Sequence, residues 1–267
     1  MRFAPLAALL SATIAVGCAP VASSAPALSD PREILIRTFA STAALRTVHV
    51  VIEGDVLGEA LVGVALSGAV LEADVDLVQR HLSARLRSPD GRFDASAILV
   101  DGAAFTLDRG ATAWTRSPMA NPDQDPLAGL AATAAIAKAL ATAVRAPAVK
   151  TELVATETCA GAGCYHVRAT LPADVVFAFG SNLAGRNNPD EKAPDGTPPV
   201  TIDAWVDTAT LRLVQARVTN AANPQMSINV VLSRHDEAVS ISAPANVVIR
   251  TDEPAPFPPS EVESPQP

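Results

Sequence analysis

Ala69-Val70-Leu71-Glu72-Ala73-Asp74-Val75-Asp76-Leu77 is the stretch that decides the fold. Ala69, Leu71, Ala73, Val75 and Leu77 recur with a period of two, and Glu72, Asp74 and Asp76 fill the gaps. Side chains alternate across a strand, so this segment has one dry face and one wet face. Leu82, Ala84 and Leu86 repeat the pattern against Ser83, Arg85 and Arg87. Upstream, Val48, Val50 and Ile52 do so against His49, Val51 and Glu53. These are half-buried strands of an antiparallel sheet. Asp90-Gly91 and Asp101-Gly102 supply hairpin turns between such runs, and Ala103 to Leu107 and then Trp114 follow the second turn.

Two helical segments flank this run. Asp30-Pro31-Arg32-Glu33 is a helix start, with Asp30 as N-cap and Pro31 in the first turn. Ile34, Leu35, Phe39, Thr42 and Leu45 form its apolar stripe. Asp125-Pro126 opens a longer helix over Leu127 to Val144, mostly Ala, with Leu127, Leu130, Ile136, Leu140 and Val144 as its larger members. A helix so rich in Ala packs closely on a sheet but fills little volume, which leaves room for a cavity beside it. Strands resume at Val149 to Thr158 and at Tyr165, Val167, Ala169 and Leu171, and a short helix is expected over Ala173 to Phe179. The composition of Gly185 to Pro199 is that of a loop. Val200 to Asp207, Leu211 to Asn220 and Gln225 to Ser233 are three more strands, and Val239 and Ile241 are read as a final edge strand. The order gives an α+β class: a strongly curved antiparallel sheet with the two main helices on one face.

The ends of the chain read as export and attachment. Arg2 followed by the uncharged run Phe3 to Val16 is a secretory signal over residues 1–17, too short to span a bilayer. Cys18 after Ala15-Val16-Gly17 fits a lipobox, in which the thiol takes a diacylglycerol; the competing reading is an ordinary signal with an incidental cysteine. Residues 18–29 are a tether of small residues and Pro, 30–250 a single domain, and 251–267 a Pro-rich acidic tail expected to be disordered. Without the signal, 19 basic residues face 28 acidic ones, a net charge of −9. Such a surface argues against nucleic acid and anionic membrane surfaces as partners. Only 4% of residues are aromatic while 49% are hydrophobic, so Ala, Val and Leu supply the interior.

Cys159 and Cys164 stand on either side of Ala160-Gly161-Ala162-Gly163, between apolar runs. In an exported chain they are expected to form a disulfide at the tip of a hairpin. A zinc site is the rival, but only His166 lies near as a further ligand, so no metal and no cofactor is expected. His49, His81, His166 and His235 all fall on the wet side of strands and read as solvated residues. There is no Gly-x-Ser-x-Gly, no His-Glu-x-x-His and no glycine-rich phosphate loop. Glu72, Asp74 and Asp76 share a solvent face with no basic or metal partner evident near them in sequence. The chain is therefore not read as an enzyme. Trp205 falls in the outward register, and core packing is the ordinary reading for both Trp114 and Trp205.

An ordered set of segments carries a family resemblance. A helix leads into Thr47-Val48-His49-Val50; Leu99-Val100-Asp101-Gly102 leads to Trp114 and on to Asp125-Pro126. Later come Ile202-Asp203-Ala204-Trp205-Val206-Asp207, Leu211-Arg212-Leu213-Val214, Met226-Ser227-Ile228 and Ser233-Arg234-His235-Asp236-Glu237-Ala238-Val239. Over Asp30 to Pro244 this layout resembles the LolA/LolB-type lipoprotein carriers and, more closely, the LppX/LprG lipoprotein family. The resemblance implies a half-barrel whose concave side, with the helices, holds acyl chains of lipids or lipoglycans. The Cys159/Cys164 hairpin and the Pro-rich loop depart from the family pattern. Joined to the strand register, it implies a cavity lined by Val50, Ile52, Leu71, Ala73, Val75, Leu86, Val167, Ile228 and Val230, with Leu130 and Ile136 of the helix above. A monomer is expected, anchored through Cys18 to the outer face of the cytoplasmic membrane or within the periplasm or cell envelope. The alternative is a sensor or scaffold of the same fold that works through protein contacts.

Overall fold

The computed structural model describes residues 28–54, 68–118, 133–183, 193–220 and 223–249. The signal, Cys18, most of the tether, the tail, Leu130 and the expected helix start at Asp125-Pro126 lie outside them. In chain order the elements are α1 (Pro31–Ala43), β1 (Thr47–Gly54), β2 (Ala69–Asp76), β3 (His81–Arg87), β4 (Asp94–Val100), β5 (Ala103–Asp108), β6 (Trp114–Pro118) and α2 (Thr133–Arg145). Then follow β7 (Lys150–Cys159), β8 (Ala162–Leu171), α3 (Ala173–Leu183), β9 (Val200–Asp207), β10 (Leu213–Asn220), β11 (Asn223–Ser233) and β12 (Val247–Ile249).

All the strands join one sheet in the order β12-β6-β5-β4-β3-β2-β1-β11-β10-β9-β8-β7, antiparallel except where β12 meets β6. Two meanders, β1 to β6 and β7 to β11, are zipped together by β1 against β11, which sets His49 opposite Ser233 and Ile52 opposite Val230. The period-two segments pair as their pattern requires. Leu71 faces Leu86, Ala73 faces Ala84 and Val75 faces Leu82, all on the side buried by the helices. Asp101 and Gly102 both take positive φ, the geometry that a two-residue hairpin demands, and Ala160-Gly161 repeats it between β7 and β8.

Helix α1 lies on the inner face, packed against β7 to β10 on one side and α2 on the other. Ile34, Leu35, Phe39 and Leu45 are buried as expected, joined by Thr38. Thr38 and Thr42 are tolerated there because each hydroxyl donates to the carbonyl four residues back, Ile34 and Thr38 respectively. Asp30 accepts from the Arg32 N–H at 2.9 Å and caps the helix. The Arg32 guanidinium reaches across to the far end of α2, donating to the carbonyls of Val144 (2.6 Å), Ala146 (3.0 Å) and Val149 (2.6 Å). A cation on the last carbonyls of a helix satisfies orphan acceptors and opposes the helix dipole.

The C-terminal edge departs from the sequence expectation. Val239 and Ile241 are not in a strand. Arg234 and Asp236 take positive φ and turn the chain out of β11. Asp236 then accepts from the Arg46 N–H at 2.8 Å, and the Glu237 carbonyl accepts from the Thr47 hydroxyl at 2.6 Å. Residues 238–246 run as a strap from β1 to the opposite edge, where β12 pairs with β6 in parallel. Alternation over so short a segment could not reveal a partner this distant.

Candidate functional site

Strand parity gives the sheet two chemically different faces. On the inner face Val50, Leu71, Ala73, Val75, Leu86 and Val167 are all buried, at 0–5% exposure. Ile52 and Val230 are half-buried against the same core, and Ile228 is half-buried beside them. Ile136 is half-buried on α2. The inward residues therefore share one apolar surface, and burial weakens along it. On β11 Leu232 is buried but Val230 and Ile228 are not; on β10 Ala216 is buried and Val218 is not. Many inward positions carry Ala (69, 73, 84, 97, 169 and 204 among them), and all of these but Ala97 are buried.

An open groove of about 410 Å³ lies between α2 and α3. Ala139, Thr142, Ala143 and Ala146 form one wall, and Val175, Ala178 and Phe179 the other, with Asp174 the single charge. None of these residues was singled out from the sequence, because which side of an Ala-rich helix is left open depends on its neighbour. The small side chains of α2 leave the space between the two helices unfilled, and α3 follows Pro172 directly at the end of β8. Among the described residues no helix is long and apolar enough to cross a membrane.

The outer face is polar, and the histidines there are not free in solvent. His49 and His166 keep only 14% side-chain exposure, and His81 15%. His166 stacks on Trp205 with ring centres 4.4 Å apart and lies 3.0 Å from Asp203, which also accepts from Arg168 at 2.9 Å. The Trp205 indole N–H donates to Glu157 at 2.6 Å, consistent with its outward register. His235, set against the Leu213 carbonyl, has its basicity lowered by burial and by the Arg212 guanidinium.

The carboxylates of β2 do have basic partners, contrary to the reading from sequence. Asp74 lies 2.8 Å from His49 and accepts from Arg234, and Glu72 accepts from Arg87 at 3.3 Å. These partners come from neighbouring strands, so register rather than proximity in sequence brings them together. Among the described residues no group of acids, histidines and cysteines could hold a metal. Trp114 belongs to a second small cluster on this outer face, with Val100, Ala103, Phe105, Ile98 and Val247. Cys159 and Cys164 are joined as a disulfide, with Cα atoms 5.8 Å apart.

Comparison with known proteins gives the same frame. The model of the LppX_LprAFG lipoprotein family matches residues 30–241. Among curated proteins none matches the sequence. The crystal structure of LprF from Mycobacterium bovis is similar at a TM-score of 0.57 and 16% identity, covering 82% of this chain and 99% of that one. The Mycobacterium tuberculosis lipoprotein LppX is similar at a TM-score of 0.50 and 16% identity, covering 80% of this chain and 100% of that one.

Proposed function

Because the chain belongs to the LppX_LprAFG lipoprotein family, we propose that it is an anchored lipoprotein of the cell envelope that holds the acyl chains of a lipid or glycolipid and carries them between sites. The observation that carries this reading is the groove between α2 and α3, apolar but for Thr142 and Asp174, beside an inner face built of small aliphatics. Each methylene moved from water into such a surface contributes about 0.8 kcal/mol. Two acyl chains would thus bind without a dedicated polar handle. The half-buried end of the inner face, at Ile52, Val218, Ile228 and Val230, continues the same surface. Cys18 would carry the anchor, and Cys18→Ala protein is expected in the soluble fraction; quantitative recovery in washed membranes would sink the anchor.

The cargo is tested by extracting purified protein with organic solvent and identifying lipid by mass spectrometry. Ala143→Trp and Ala178→Trp should fill the groove and lower lipid yield severalfold at unchanged circular dichroism. Ala178 is exposed, so the bulk there has room. Arg217→Trp, an exposed change on the outer side of β10, should leave the yield alone. Equal lipid in all three variants, or none in the parent protein from a lipid-rich host, would replace carriage with the reading of a scaffold acting through protein contacts.

A further inference from the structure

The outer face holds a second cavity, of about 370 Å³, and its geometry follows from strand register. In one cross-strand row Glu72, Arg85 and Ser96 stand side by side; in the next, His49, Asp74, Ser83 and Ile98 do. Ser83 and Ser96 are the small members of these rows, so the middle of the face is a depression. Glu72, Asp74 and His49 rise on one side of it, and Trp114 and Ile98 on the other.

What the wall has left to offer identifies the ligand. Its charges are already matched: Arg85 with Asp94 at 2.5 Å, Glu72 with Arg87 at 3.3 Å, and Asp74 with Arg234 and, at 2.8 Å, His49. An ionic ligand would find no excess of either sign. Among the described residues the Trp114 indole N–H and the Ser83 and Ser96 hydroxyls have no hydrogen-bond partner, whereas the Trp205 N–H is engaged by Glu157. The paired carboxylates keep lone pairs free to accept from hydroxyls. An indole face attracts the electropositive edges of C–H groups, and its N–H supplies a polar tip. Neutral donors, charge-neutralised acceptors and one aromatic wall, in a cavity within the range of small-molecule sites, match an uncharged polyhydroxyl molecule.

We propose that this outer cavity is a saccharide site, walled by Trp114 and floored by Ser83 and Ser96, with Glu72 and Asp74 accepting from sugar hydroxyls. It is on the opposite side of the sheet from the α2–α3 groove and does not depend on lipid carriage. A neutral glycan of the envelope could then be held while the inner face stays free for apolar cargo.

The test follows the two indole N–H signals of the mature protein by NMR, with Trp205→Phe used once to assign them. Glucose, galactose, mannose, N-acetylglucosamine and disaccharides of each are titrated to millimolar concentrations, with inorganic phosphate as the ionic control. At least one saccharide should shift the Trp114 signal saturably and leave that of Trp205 in place. Ser96→Leu, which fills the floor, and Glu72→Gln, which preserves shape, should each weaken that binding about tenfold, the scale of one lost hydrogen bond. No saturable shift with any saccharide overturns the site. So does a response to phosphate alone, or an affinity unchanged in both folded variants. Lipid content measured on the same samples keeps this outcome separate from that of the inner groove.

Discussion

Ala73 and Asp74 are neighbours in β2, yet the two sides of the sheet they face obey different rules. Inside, Ala73 is 2% exposed among aliphatic side chains that make no directional contacts, so its surroundings accept any apolar surface of suitable shape. Outside, Asp74 is fixed by His49 and Arg234, drawn from β1 and the exit of β11. One side is permissive and the other is specified group by group. A single sheet can therefore present two unlike surfaces, because the pleat separates them by one residue.

The largest loss is expected on the inner side. Phe39 anchors α1 on the inner face at 3% exposure. Phe39→Ala should destabilise by about 3 to 5 kcal/mol, the cost of lost burial plus a cavity. Urea unfolding measures it, and a loss under 1 kcal/mol would mean that α1 is not part of the core. On the outer side the largest single contribution is covalent. Opening the Cys159–Cys164 loop should cost about 2 kcal/mol. In the mature protein, unfolded but not reduced, Cys159 and Cys164 should give no reaction with a thiol reagent, and free thiols at these positions in material from the envelope would remove this contribution.

The smallest effect is also the most diagnostic of a specified surface. Asp236 is held below the ordinary carboxylate range by the Arg46 N–H, with the Arg212 guanidinium beside it. A carboxylate whose folded pKa is depressed contributes stability above its unfolded pKa of about 3.9 and loses it as pH falls through the lower folded value. Asp236→Asn should therefore cost about 1 kcal/mol or less at neutral pH, its 33% exposure limiting the gain. The difference from the parent should vanish in acid; a difference constant with pH would assign the effect to shape and not to charge.

Legibility followed the same divide. Helix α1 and strands β1 to β3 could be read because their signal is local: an apolar period, a cap, a turn pair. The disulfide could be read because two cysteines in an exported chain have few alternatives. Register-dependent features could not. The partners of Glu72 and Asp74, the second cluster around Phe105 and the parallel edge β12 all depend on which strand lies beside which. Val100, Ala103 and Phe105 lie in an apolar run whose face the alternation leaves unassigned, and they pack with Ile98, Trp114 and Val247. The α2–α3 groove was hidden for a related reason, since Ala gives no sign of whether its face will be covered.

The clamp of Arg32 on the end of α2 has a consequence in time. The carbonyls it grips lie 112 to 117 residues further along the chain, and the strands beneath α1 begin only at Lys150. A chain delivered from its N-terminus thus presents α1 long before anything exists for it to rest on. The β2 to β5 hairpins, each paired with its sequence neighbour, can zip at once, whereas the first helix must wait. Contacts of such separation slow folding because the loop between them closes at an entropic cost before any burial repays it. Among the described elements the N-terminal helix is the first made, and the elements that cover its apolar stripe, α2 and β7 to β10, all come from Thr133 onward.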